Sequence, residues 1–364
     1  MIELSDTVLD QIKENRKKFR VDHFDIVISE YVNRCNEGKV ILNPPYQRTF
    51  RWDEATQSAL IESILIGIPL PPIFAFSNDD FNWEIIDGLQ RTSTLIRFFN
   101  SLKDEETAIK FVDCEILTDL NGKTMHDLSQ GVINNLKNAR IRIELVEDND
   151  DLYSQYLLFS RLNSNGEDLS PQELRNFLVY KLSPEFYGLM NEFRNDTNFK
   201  EAIKLKPNRI KKQEDNEYIL RYFICQMIMK HETSEESYGK IDILITKEIQ
   251  NYLSRKSVEE IVSGFDNITE TYAYIRRLLG ENSFRHFHSK LNSITNTSII
   301  APAIGLLLDE FKLVDDNHAV NILRDFFESD VYKNLTARSY SPTRRFFKLS
   351  DEAFKYFSEK VWEA

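Results

Sequence analysis

The groups best suited to handling phosphate are gathered in one run, Trp83-Glu84-Ile85-Ile86-Asp87-Gly88-Leu89-Gln90-Arg91-Thr92-Ser93-Thr94-Leu95. Its pattern is an apolar strand, an Asp-Gly turn and then directly a helix. Glycine at the turn permits a positive φ and lets a ligand approach the backbone. The first turn of the helix offers N–H groups with no partner in the helix and a partial positive charge, worth roughly 0.3–1 kcal/mol toward each exposed anionic charge. Arg91 brings a fork of donors that matches phosphate oxygens. Thr92, Ser93 and Thr94 bring hydroxyls, and Gln90 can hold a water or a base edge. The bland alternative, a strand–turn–helix in which Asp87 is only a cap, stays open, since glycine turns before helices are common. No GxxxxGK[ST] loop is present, so this is not the common ATPase phosphate loop.

Two further runs carry more polar chemistry than folding alone needs. Pro44-Pro45-Tyr46-Gln47-Arg48-Thr49-Phe50-Arg51-Trp52 crowds arginines, a glutamine and aromatics onto a proline-stiffened loop. Arg48 could meet phosphate and Tyr46 could stack on a base. The competing reading is a surface loop whose Phe50 and Trp52 dock on the core. In Phe159 to Arg175, Asn165-Gly166 ends one helix, and Ser170-Pro171-Gln172-Glu173 is a capping box with proline at the first helical position of the next. Arg161, Asn163 and Asn165 exceed what capping requires and are candidates to face the same pocket.

The elements that must position these groups follow from periodicity. Residues 3–19 read as an amphipathic helix with Leu4, Val8, Leu9 and Ile12 on one face. Strands are expected at 24–28, 39–42, 73–76, 83–86, 110–116 and 140–146, with a tight turn at Asn121-Gly122. Asp53 caps a helix that Gly67 and Pro69 end. Beyond about residue 150 helical periodicity takes over. The expected architecture is α+β: an α+β domain over 1–148, then an all-helical domain over 149–364 that begins in the acidic stretch Glu147 to Asp151. The 364-residue length suits two domains.

Taken in order, these motifs resemble the N-terminal domain of GmrSD-type modification-dependent restriction proteins, a relative of the ParB/sulfiredoxin superfamily. That family's pattern stands here as Pro44-Pro45-Tyr46-Gln47-Arg48, Gly67-Ile68-Pro69-Leu70-Pro71, Asp87-Gly88-Leu89-Gln90-Arg91-Thr92-Ser93-Thr94 and Arg161-Leu162-Asn163-Ser164-Asn165-Gly166, over roughly residues 20–225. The resemblance implies a ParB/sulfiredoxin-like fold that binds and hydrolyses a nucleoside triphosphate, with Mg2+ assisting. It implies Asp87, Gln90 and Arg91 as catalytic residues. Gly88, Thr92, Ser93 and Thr94 would hold phosphate, Tyr46, Gln47 and Arg48 would close the pocket, and Arg161 and Asn163 would face it. Two positions depart from the pattern. Leu89 stands where the family has a first glutamine, which favours binding without turnover if that glutamine places the attacking water. Ser93 replaces threonine and keeps the hydroxyl.

The partners implied are a nucleotide, DNA and a separate nuclease subunit, with a homo-oligomer left open. The chain itself shows no nuclease of the HNH kind: of six histidines only His286 and His288 lie close, and alternate residues of a helix do not share a face. A nuclease using Asp87 with Glu84 or Glu62 around metal is the third alternative. No other metal site is expected. The net charge of −12 excludes a general nucleic-acid coat, so DNA contact must be local. Candidate patches are Lys204, Lys206, Arg209, Lys211 and Lys212; Arg338, Arg344, Arg345 and Lys348 among Tyr340, Phe346 and Phe347; and Arg16, Lys17, Lys18 and Arg20. Cys35, Cys114 and Cys225 are too scattered for a disulfide framework and point to reduced, buried thiols in a cytoplasmic protein. The N-terminus lacks the apolar stretch of a signal peptide, and Ile299 to Leu308 is too short to span a membrane.

Overall fold

The computed structural model describes residues 2–16, 21–42, 52–78, 80–102, 108–147, 152–162, 171–233, 239–280, 294–336 and 340–363. The chain divides into two compact units, Met1–Asp168 and Leu169–Ala364. The division falls later than the composition change at 148, because the helix that follows this change packs on the sheet of the first unit.

In the first unit the order is α1 (Ile2–Arg16), β1 (Val21–Val27), α2 (Ile28–Asn36), β2 (Val40–Ile41), α3 (Glu54–Ile66), β3 (Ile73–Ser77), β4 (Trp83–Asp87), α4 (Leu89–Ser101), α5 (Gln130–Asn138), β5 (Arg140–Glu147) and α6 (Leu152–Leu162). The five strands form one mixed sheet in the order β1-β5-β3-β4-β2. β1 runs antiparallel to β5, β5 parallel to β3, β3 antiparallel to β4, and β4 parallel to the two-residue β2. The strand carrying the Asp-Gly turn therefore lies inside the sheet. A register shift beside Phe74 and Ala75 bends the β3–β4 pair next to Asp87, the usual way a sheet re-aims a side chain. One core takes Tyr31 and Val32 of α2, Leu60, Ile61 and Ile64 of α3, Leu95 and Phe98 of α4, and Ile73, Ile85 and Ile143 of the sheet. α6 packs against β4.

The helix punctuation is as its residues dictate. Asp53 accepts the Thr56 N–H at 2.9 Å and caps α3. Gly67, at φ 82°, closes α3 with its own N–H on Ile64 O and the Ile68 N–H on Ser63 O. The strand expected over 110–116 does not form. Asp113 has a positive φ of 54°; Phe111 pairs with the Lys123 carbonyl and the Gly122 N–H, and beyond it the N–H groups go to side chains instead. Val112 N–H reaches Ser58 Oγ, and the Asn121 amide both accepts from Cys114 N–H and donates to Cys114 O. Glu62, buried in α3, accepts N–H groups from Glu115, Ile116 and Leu117 at 3.4, 2.8 and 2.6 Å. The expected Asn121-Gly122 turn is present, with Gly122 at φ 79°.

The second unit is α7 (Pro171–Leu182), α8 (Pro184–Phe193), α9 (Thr197–Ile203), α10 (Pro207–Lys211), α11 (Glu214–Met229), α12 (Ile241–Arg255), α13 (Val258–Leu279), α14 (Ile294–Leu306), α15 (Leu308–Leu313), α16 (Asp316–Glu328), α17 (Asp330–Thr336) and α18 (Pro342–Trp362), with no strand among its described residues. α11 is its centre, packing on α12, α14 and α18. Phe186, Phe193, Phe223, Phe265 and Tyr272 meet edge-on or tilted, as aromatic quadrupoles prefer. The apolar run from Ile299 is buried in α14. Arg175 of α7 is 0% exposed and is held by Glu217 of α11 at 2.8 Å and Asp242 of α12 at 3.2 Å. No helix among the described residues is long and apolar enough to cross a membrane.

Candidate functional site

β4 delivers Asp87 to the end of the sheet, and Gly88 turns the chain at φ 103° and ψ 12° straight into α4. Nothing but glycine is comfortable there. A Cβ would sit in the left-handed region and meet Ile73 Cγ1 at 3.0 Å. The ladder of α4 begins with Thr92 N–H on Gly88 O at 2.8 Å, so the N–H groups of the first turn stand ahead of it, as at any helix start.

Arg91 does more for the fold than its sequence context suggests. Its Nη2 donates to Asp87 Oδ2 at 2.7 Å, and its Nη1 donates to Pro72 O at 3.1 Å and to Pro71 O. The side chain is 11% exposed. One guanidinium thus clamps the Gly67-to-Pro72 segment onto the Asp-Gly turn. Gln90 makes the second join: its Oε1 accepts the Trp52 N–H at 3.2 Å. Trp52 O in turn accepts from Gln57 Nε2 at 3.0 Å, which also donates to Asp53 O at 3.1 Å, and Gln57 Oε1 accepts from Arg97 Nη1 at 3.0 Å. Trp52 also packs against the core, as the plain reading of its loop required.

The hydroxyls divide. Thr92 is buried and bonded to Tyr31 Oη at 2.9 Å, whose own ionisation burial pushes up. Thr94 is buried and returns its hydroxyl to Gln90 O at 2.8 Å. Both serve the fold in this state. Ser93 is half-buried, the most exposed of the three hydroxyl residues. Leu89 is buried in the core. Arg161 lies at the exposed end of α6. Tyr46, Gln47, Arg48 and Asn163 lie outside the described residues. So do Phe50, Asn165, Ser170, His286 and His288, together with Lys17, Lys18, Arg20 and Arg338.

Of the carboxylates proposed for metal, Glu62 is committed to the 115–117 backbone. Those N–H groups, Leu117 first, hold its pKa below the usual carboxylate range against the opposing effect of burial. No group of three or more His, Cys, Asp or Glu with metal-ligand geometry occurs among the described residues. The basic patches are partly neutralised: Lys204 pairs with Glu201 and Arg209 with Glu214, while Arg344 and Lys348 lie over the Tyr340 ring. Phe346 and Phe347 are buried, and the three cysteines are buried and free.

The family model described as the N-terminal domain of the GmrSD restriction endonuclease matches residues 28–180. Over these residues the chain is similar to a GmrSD N-terminal domain. The matched stretch contains the joins of Gln90 and Arg91 described above, and it runs into α7 of the second unit. No curated protein matches the chain. A solved structure of a Pnob8-like ParB-N domain aligns over 94% of this chain and 98% of its own, at 9% identity and a TM-score of 0.27, which is too distant to bear on the GmrSD domain's geometry. What sequence reasoning missed in this domain is its wiring: Gln57, Arg97, Tyr31 and the Pro71 and Pro72 carbonyls. A glutamine inside an otherwise apolar helical stripe, as Gln57 is, was the available signal.

Proposed function

We propose that this chain is a nucleoside-triphosphate-binding, and hydrolysing, sensor subunit of a bacterial DNA restriction or anti-phage system, gating a DNA-cleaving partner. The observation that carries this is the strand–Gly88–helix turn within a matched GmrSD N-terminal domain, with Gln90 and Arg91 drawing the Trp52 and Pro71–Pro72 segments to it. Phosphates would lie at the start of α4, against the first-turn N–H groups, Ser93 and Gln90. Arg91 would exchange a carbonyl or Asp87 for a phosphate oxygen. Asp87 would then be released to orient water or Mg2+. Phosphoryl transfer asks mainly for positioning and charge stabilisation, and this set supplies both. Occupancy would be passed to the helical unit along the chain through residues 159–176. There Arg175, held by Glu217 and Asp242, belongs to the matched stretch and to the second unit alike.

A second reading is a nucleotide switch without turnover. The burial of Leu89 favours it, since that side chain is spent on the core and can place no water. Titration with each of the four ribonucleoside triphosphates and magnesium, following binding and phosphate release, separates the two. Binding with release, both weakened in Ser93→Ala and Gln90→Ala, is the expected result. Binding without release establishes the switch, and no binding by the wild type removes both.

A further inference from the structure

The amide of Gln57 has one orientation that satisfies its neighbours. Trp52 O and Asp53 O can only accept, so the nitrogen faces them, and Arg97 can only donate, so the oxygen faces it. Gln57 is 1% exposed, and its burial leaves no room to reverse that choice at low cost. The peptide that follows Trp52 is thereby held at its carbonyl, and the Trp52 N–H, in the preceding peptide, points toward α4. That N–H can only donate, so the Gln90 oxygen must face it. Gln57 therefore acts on the orientation of Gln90 through one residue, Trp52, whose carbonyl it holds and whose N–H calls for the Gln90 oxygen.

We infer that Gln57 is a positioning residue of the α4 site, acting through Trp52 to keep the Gln90 oxygen occupied so that Gln90 meets its ligand as an N–H donor. This rests on the nucleotide reading above and sharpens it: Gln90 would bind phosphate oxygens rather than act as the acceptor that activates water. Arg97, on the exposed face of α4, anchors the outer end of the relay.

The test uses the full chain with magnesium and inorganic tripolyphosphate as a base-free probe, and ATP and GTP beside it. Gln57→Leu and Gln90→Ala are each expected to weaken tripolyphosphate binding about tenfold, the worth of one hydrogen bond to a charged group. The double variant is expected to be weakened about tenfold as well, because the second change removes nothing the first has left in place. Amide hydrogen exchange without ligand supplies a second readout. Trp52 N–H should lose protection in Gln57→Leu and Gln90→Ala. It should keep protection in Gln90→Glu, which retains the acceptor yet loses the donor and the affinity. If Gln57→Leu folds poorly, Arg97→Ala loosens the same relay from outside and should move both readouts the same way. Wild-type binding with additive losses of about a hundredfold in the double variant, or unchanged Trp52 exchange in Gln57→Leu, would overturn the relay. Absence of binding by the wild type to all three probes would instead overturn the nucleotide reading, and with it the donor role.

Discussion

At the scale of single residues, the structure changes what a substitution at Arg91 would mean. The side chain most suited to phosphate is also the clamp that holds two proline carbonyls and Asp87. Removing it orphans acceptors around a largely buried centre. Arg91→Ala is therefore expected to cost about 2–3 kcal/mol of stability even without ligand, read as a lower denaturant midpoint at unchanged slope. Arg91→Lys keeps the charge but cannot reach both sides as a fork, and should fall between wild type and alanine. A wild-type midpoint for Arg91→Ala would show that the clamp contributes nothing and would leave the guanidinium wholly to the ligand. Ser93→Ala, with no such structural duty evident, is the cleaner probe of phosphate contact.

At the scale of elements, the loop over 110–117 shows why one part of the fold was illegible in sequence. Phe111-Val112-Asp113-Cys114-Glu115-Ile116-Leu117 has the alternation of a strand, yet beyond Phe111 its N–H groups go to Ser58, Glu62 and Asn121, which lie far along the chain in one direction or across a turn in the other. Alternation reports which side chains want burial. It does not report where the N–H groups go when a buried carboxylate is on offer. By contrast β3, β4, α3 and α4 were legible, because glycine, proline and cap residues bound them locally. Likewise Asp87 to Thr94 announced a turn and a helix start, but not that Thr92 and Thr94 turn inward, since the side each faces depends on where α2 and the sheet lie. Glu62 also yields a pH prediction. Its pKa is held below the ordinary carboxylate value of 4.5, chiefly by the Leu117 N–H. A depressed folded-state pKa contributes stability in full above the unfolded value, and that contribution is lost as pH falls through the folded one. Glu62→Gln should thus lower the melting temperature at pH 7, with the gap to wild type narrowing below pH 4.5. A gap that is constant across that range would mean the charge of Glu62 does not matter to the loop. Glu62→Ala, which strands three N–H groups, should cost about 3 kcal/mol.

At the scale of the whole molecule, composition and packing place the division differently, and the difference is testable. The acidic stretch at 147–151 marks a change of character in the sequence, whereas the packed units divide between Asp168 and Leu169. The reason is α6. It has helical periodicity like everything after it, but it covers β4 and buries Gln155 in the first unit, so a sequence-based boundary drawn on periodicity cuts it from the sheet it shields. A fragment of residues 1–148 would expose the surface of β4 that α6 covers, an interior strand whose Ile85 and Ile86 are buried. It is expected to melt lower and less cooperatively than 1–168, and to aggregate more readily. On the other side, 169–364 keeps the α11-centred core and the Arg175 network intact, so it should show helical circular dichroism and a cooperative melt. Restoring 149–168 to that fragment should add no stability, because α6 has its burial partner elsewhere. If instead 1–148 melts like 1–168 and 149–364 outlasts 169–364, then α6 belongs with the helices. The sheet would then carry the candidate site without it, and Arg161 would leave the list of residues proposed to face it.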